Sequence, residues 1–122
     1  MSTLGILIIV LGLVAVILLL VIMSARLFKK VGPNDTITFN YLWVRWSDGK
    51  VLEESYSGKP AIAPLSGLLP GMVKGLDGQT VGSRVLLVIP PADGYPDGNA
   101  TPSIKPGETL VMVVDLLFTQ SQ

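Results

Sequence analysis

From Leu4 to Met23 the chain runs 20 residues without a charge or a proline. At about 1.5 Å per residue such a run spans the roughly 30 Å hydrocarbon core of a bilayer as a helix. It is expected to be a transmembrane helix, which leaves room for one small domain behind it. A cleaved signal peptide fits less well, because no basic residue precedes the run and it exceeds the usual signal core of about 7–15 residues. The exit Ser24-Ala25 also has Met23 where a small residue is wanted. Arg26, Lys29 and Lys30 come after the span, and no Lys or Arg precedes it. The positive-inside rule therefore puts the domain in the cytoplasm, against the habit of N-terminal anchors to export the domain behind them. The span has no Gly-x-x-x-Gly, so it carries no strong signal for helix pairing.

Residues 1–30 read as anchor and basic juxtamembrane segment, 31–35 as a short linker with turn chemistry, and 36–122 as the domain. From Asp35 onward there are nine acidic and six basic side chains, a net of −3, which offers no basic face to nucleic acid. The chain has no Cys and no His. That removes disulfides, the usual Ser-His and Cys-His nucleophile pairs and the common zinc sites, and no metal or other cofactor is expected.

Thr36 to Trp46 alternates, with Ile37, Phe39, Tyr41 and Trp43 on one side, and predicts a strand with an apolar face. Ser47-Asp48-Gly49-Lys50 is a hairpin turn, Val51 to Ser55 the returning strand, and Ala61 to Leu65 a short strand made doubtful by Pro64. Leu68 to Pro91 then reads as a short amphipathic helix opened by Pro70, a glycine-bounded turn and a buried strand from Val85 to Ile89. Pro90 to Glu108 is a long loop and Thr109 to Phe118 a last strand. This order gives an antiparallel sheet with one helix packed on it, α+β by class.

At these residues the chain resembles the FKBP-type peptidyl-prolyl isomerases. The resemblance rests on Tyr41, on Ser47-Asp48-Gly49-Lys50, on Pro70-Gly71-Met72 and on the run Gly75-Leu76-Asp77-Gly78-Gln79-Thr80-Val81-Gly82-Ser83-Arg84. It continues through Ile89-Pro90-Pro91, Gly94-Tyr95, Ile104-Lys105-Pro106 and Thr109-Leu110-Val111. It implies an antiparallel half-barrel wrapped around the short helix, with a pocket between helix and sheet that acts on proline-containing polypeptides. Carried over to this sequence, the catalytic candidates are Tyr41 on the wall, Glu53, the Leu69 backbone N–H and the Tyr95 hydroxyl. Leu52, Leu68, Met72, Ile104 and Met112 are the candidates for binding substrate.

The sequence departs from the family inside that pocket. Leu52-Glu53 stands where a Phe-Asp pair is usual, Met72 where the pocket floor is a tryptophan, and Ala61 and Met112 where aromatics are usual. The family's first strand is also missing, since the anchor runs straight into Asp35. Two functions stay open: a membrane-anchored prolyl isomerase that assists folding, and a non-catalytic module that offers the groove to a peptide or partner protein.

Overall fold

The computed structural model describes residues 2–27 and 29–121, and of residues 22–27 the backbone alone. Helix α1, Thr3–Leu27, contains a stretch, Thr3–Val21, long and apolar enough to cross a membrane, a property that anchors and signal sequences share. The Arg26 side chain, one of the three cations behind the topology reading, lies outside the described residues, as do the side chains of Met23, Ser24 and Ala25 at the weighed cleavage exit.

The remaining elements are β1 (Asp35–Arg45), β2 (Val51–Glu54), β3 (Ala61–Pro64), α2 (Pro70–Leu76), β4 (Arg84–Ile89) and β5 (Leu110–Ser121). They form one antiparallel five-stranded sheet in the order β2-β1-β5-β4, with β3 also paired to β1. β2 joins β1 at Leu42 to Val44 and β3 joins it at Thr36 to Phe39. The break Ser57-Gly58-Lys59-Pro60 lies between these two short strands. Pro64, the residue that weakened the strand reading, is tolerated because it ends an outer strand. β1 and β5 pair from Asp35↔Ser121 to Arg45↔Leu110, with a register shift after Thr38. The hairpin turn is closed by Gly49 at a φ of 69° and by an ion pair, Arg45 to Asp48, at 2.6 Å.

The period of two sends Ile37 and Phe39 of β1, Leu87 and Ile89 of β4, and Leu110, Met112, Val114 and Leu116 of β5 to one face. Leu65, Met72 and Leu76 close the core from the helix side. Two small residues bring α2 down onto β4. A Cβ at Gly71 would lie 2.7 Å from Ile89 Cγ2, and one at Gly75 would lie 2.2 Å from Leu87 Cδ2.

The segment read as the end of the tether and a linker behaves differently from that expectation. Val31 is 2 % exposed and belongs to the core. Its N–H donates to the Gln79 carbonyl at 2.9 Å, its carbonyl accepts from Gly78 N–H at 2.8 Å, and Val81 N–H donates to Lys29 O. Lys30 bridges Thr80 in antiparallel fashion. A short strand-like piece thus stands beside the turn after α2, because one apolar side chain and three backbone bonds hold it there. Asp35 then anchors the turn: its Oδ2 accepts from Gly32 N–H at 2.9 Å and from Thr119 Oγ1 at 2.7 Å. Those bonds, the Gly32 one first, lower its pKa.

Candidate functional site

On the concave side of the sheet the inward residues of β1 form an aromatic row. Phe39 and Tyr41 have ring centroids 5.8 Å apart, and Tyr41 and Trp43 5.9 Å apart, both tilted pairs. Over this row opens a cavity of about 220 Å³. Its walls are the three β1 aromatics, Glu53 of β2, Ala61 and Ala63 of β3, and Leu68 and Met72 from the helix side. The lining is mostly apolar. At roughly 30 Å³ per water it holds about seven waters, which suits one small ring better than an extended ligand.

Four of the sequence candidates, Tyr41, Glu53, Leu68 and Met72, meet in this wall. Tyr41 is tied at both ends. Its N–H donates to Ser55 Oγ at 2.8 Å, Ser55 Oγ donates to Asn40 Oδ1 at 2.9 Å, and the phenol donates to Glu53 Oε1 at 2.7 Å. Its pKa is pushed up to about 12, by burial first and then by the hydrogen bond to Glu53 and the charges of Glu53 and Glu54. The hydroxyl is therefore a proton donor at any physiological pH. Glu54 turns the other way and bonds Ser57, as strand alternation requires.

The other candidates lie around the cavity rather than in its wall. Leu52 falls at a register shift between Trp43↔Glu53 and Val44↔Val51, where the extra residue leaves the ladder and its side chain packs against the core. Met112 is fully buried: its neighbours in register are Trp43 on one side and Leu87 on the other. Ile104 is buried too, pinned by a two-bond bridge to Asn99 at 2.8 and 2.9 Å. Leu69 caps α2, and its carbonyl accepts from Met72 and Val73 N–H. Among the described residues its own N–H donates no backbone hydrogen bond. Tyr95 is half-buried and sets its ring 6.4 Å from that of Trp43, outside the cavity wall. Its loop is tied to α2 by Lys74 Nζ to Asp93 Oδ1 at 2.7 Å.

The other four wall residues, Phe39, Trp43, Ala61 and Ala63, are not among the sequence candidates, although the alternation of β1 already places Phe39 and Trp43 on the face of Tyr41. Trp43 restores an aromatic surface where Met72 and Ala61 are smaller. Its Nε1 is buried and has no hydrogen-bond partner among the described residues.

The family model for FKBP-type peptidyl-prolyl cis-trans isomerase matches residues 29–117. The chain is 34% identical over 87 residues to a probable FK506-binding protein of Corynebacterium glutamicum, covering 70% of this chain and 72% of that one. It is 41% identical over 71 residues to the FKBP-type 22 kDa peptidyl-prolyl cis-trans isomerase of Escherichia coli, covering 57% of this chain and 34% of the relative. Among solved structures, FkpA from Escherichia coli superposes with a TM-score of 0.67 at 38% identity, over 77% of this chain and 45% of FkpA. The peptidyl-prolyl cis-trans isomerase of Pseudomonas syringae pv. tomato gives a TM-score of 0.69 at 26% identity, over 78% of this chain and 68% of that one. With the match extending over nearly all of the sheet and its helix, the chain belongs to the FKBP-type peptidyl-prolyl cis-trans isomerase family.

Proposed function

We propose that this chain is a membrane-anchored peptidyl-prolyl cis-trans isomerase that takes a prolyl ring into the cavity over Tyr41. The observation that carries the reading is the apolar, aromatic-walled cavity in a chain of this family. Rotation about an Xaa-Pro amide faces a barrier of roughly 18–20 kcal/mol, because twisting removes the resonance of the planar amide. No nucleophile is required. A dry cavity disfavours the more polar planar amide, and a hydrogen bond made only to the twisted carbonyl lowers the barrier.

In this reading Leu68 and Met72 grip the ring from the helix side and the β1 aromatics form the floor. The Leu69 N–H and the Tyr95 hydroxyl donate to substrate carbonyls, and Glu53 holds the Tyr41 phenol in place. Thr3–Val21 anchors the enzyme, and Lys29 and Lys30, with Arg26, keep the domain on the cytoplasmic side. The non-catalytic binding module is favoured by one observation, the position of Tyr95 outside the wall.

The test is a proline-isomerisation assay of the full chain in detergent on Xaa-Pro peptides, repeated with Ala63→Phe to fill the cavity. Catalysis abolished by the filled cavity is the expected result. A folded chain without catalysis, but with peptide binding that Ala63→Phe removes, would establish the binding module. Protection of the domain from protease added to intact cells tests the side.

A further inference from the structure

The outer face of the sheet, opposite the cavity, carries a large share of apolar side chains. Pairing aligns Leu42, Val113 and Leu86 in one row and Val44, Val111 and Val88 in the next. Leu86 is 65 % exposed and Val88 58 %. At the end nearer the N-terminal segment a third row joins Ile62, Thr38 and Phe118, with Ile62 71 % and Phe118 55 % exposed. Trp46 extends the alternation of β1 at the far end and is exposed as well. The adjacent rows of Leu42 and Val44 form one contiguous apolar patch, and such a patch on a folded domain marks a binding surface.

A polar row crosses the face, Asn40, Asp115 and Arg84 in register, besides Thr36 opposite Gln120 at one end. Its charges cancel: Arg84 Nε donates to Asp115 Oδ1 at 2.7 Å, Arg84 Nη2 donates to Oδ2 at 3.0 Å, and Tyr56 adds its hydroxyl to the same carboxylate. That row therefore brings no net charge to whatever the face meets, and the one carboxylate beside it, Glu54 opposite Leu42 at the β2 edge, is turned to Ser57.

What it can meet is limited by the tether. Four peptide steps separate Leu27, the last residue of α1, from Val31 in the core, about 14 Å when fully extended. The helix beyond Val21 adds roughly 9 Å. β1, at 11 residues, is itself about 35 Å long, so the sheet is longer than its leash. Lys29 and Lys30 stand where the tether enters the domain, with the sign that suits anionic headgroups. A bilayer is then always within reach of this face, whereas a second copy would first have to be found.

We infer that the outer face of the sheet docks on the lipid surface beside the anchor, with Leu86, Val88, Ile62 and Phe118 entering the interface and the cavity turned away from the bilayer. This inference rests on the anchored reading above. The docked face sits at the depth where aliphatic and aromatic side chains partition into the headgroup boundary.

The absence of cysteine allows single reporters to be placed at will. The full chain is reconstituted into phosphatidylcholine and phosphatidylglycerol vesicles containing doxyl-labelled lipid, with a fluorophore on Val88→Cys, Phe118→Cys or, as a control on the long loop, Asp97→Cys. Loss of fluorescence at positions 88 and 118 with none at 97, reversed at 118 when Leu86→Glu and Ile62→Glu are added, is the expected result. Equal quenching at all three positions, or at none, would overturn docking. So would a cross-link between two copies at position 88 that forms without lipid. Flotation after alkaline carbonate washing separates the two readings: a chain that leaves the vesicles overturns the anchor, and one that stays but is not quenched overturns the docking alone.

Discussion

Glu53 stands directly opposite Trp43 in the β1–β2 ladder, yet its carboxylate accepts the hydroxyl of Tyr41, its diagonal neighbour, at 2.7 Å. Diagonal pairs across antiparallel strands lie within reach of long and aromatic side chains, so the bond spans the lip of the cavity between two strands. It also fixes the charge state of the wall. The phenol stays protonated to about 12, and the carboxylate is held where it faces the cavity rather than solvent alone.

Ultraviolet titration should therefore show one tyrosine ionising near pH 12, and Glu53→Gln should bring that transition down. A phenol whose folded pKa is raised contributes stability in full below the unfolded value of about 10 and loses it between about 10 and 12. The wild type should accordingly lose more stability than Tyr41→Phe as pH rises through that window. No such difference would mean that the Glu53 bond does not form in solution.

Tyr41→Phe keeps the ring and deletes the bond. Because this bond lies within the wall itself, its net worth of about 0.5–1.5 kcal/mol should appear as a lower Tm, and kcat/KM should fall by at most the corresponding factor of about 2 to 13 through loss of the ring's position. An unchanged kcat/KM would place Tyr41 in the wall for packing alone.

The same substitution at Tyr95 distinguishes the two functional readings. As a donor to the substrate carbonyl, Tyr95→Phe should cost kcat by a similar factor, with the Trp43 contact kept. If activity is untouched, the ring at 6.4 Å from Trp43 is a loop anchor and the donor role passes to the Leu69 N–H.

Gly75→Ala tests how tightly α2 is seated. The new methyl would meet Leu87 Cδ2 at 2.2 Å, so that side chain or the helix has to move. Overpacking of this sort costs about 1–3 kcal/mol, despite the gain in helix propensity, and should appear as a lower Tm. A Tm at or above wild type would show that Leu87 rotates away freely.

Asp115 should govern part of the acid sensitivity. The Arg84 guanidinium first, and the Tyr56 hydroxyl second, depress its pKa to about 2. A depressed carboxylate pKa gives stability that is present above the unfolded value of about 3.9 and is lost as pH falls toward 2. Between pH 5 and pH 3 the wild type should lose more Tm than Asp115→Asn. Equal losses would assign the acid sensitivity to other carboxylates, Asp35 among them.

Much of the fold was legible because local signals agreed. The alternation in Thr36 to Trp46, the Asp-Gly turn and the proline at the helix start each pointed to the element now seen. The site was less legible, for reasons of register and burial. Which strand residue faces a cavity and which lies beneath it depends on neighbours far off in sequence: Met112 is covered because pairing sets it between Trp43 and Leu87. Leu52 could not be placed without knowing that a bulge falls at its position. Val31 was missed because one valine between two lysines and Gly-Pro has no periodicity to read. Its burial comes from backbone bonds to Gln79 and Gly78, about fifty residues away.

If α1 anchors the chain as proposed, the placement of Val31 also bears on how a soluble form could arise. A protease that cuts before Lys29 would shed a domain with its core and its bridge to Thr80 intact. One that cuts after Val31 would release a body with a hole beside the turn next to α2. Shedding and damage are thus separated by about three residues of chain, and the sharp change in composition at Gly32-Pro33 falls on the wrong side of that line.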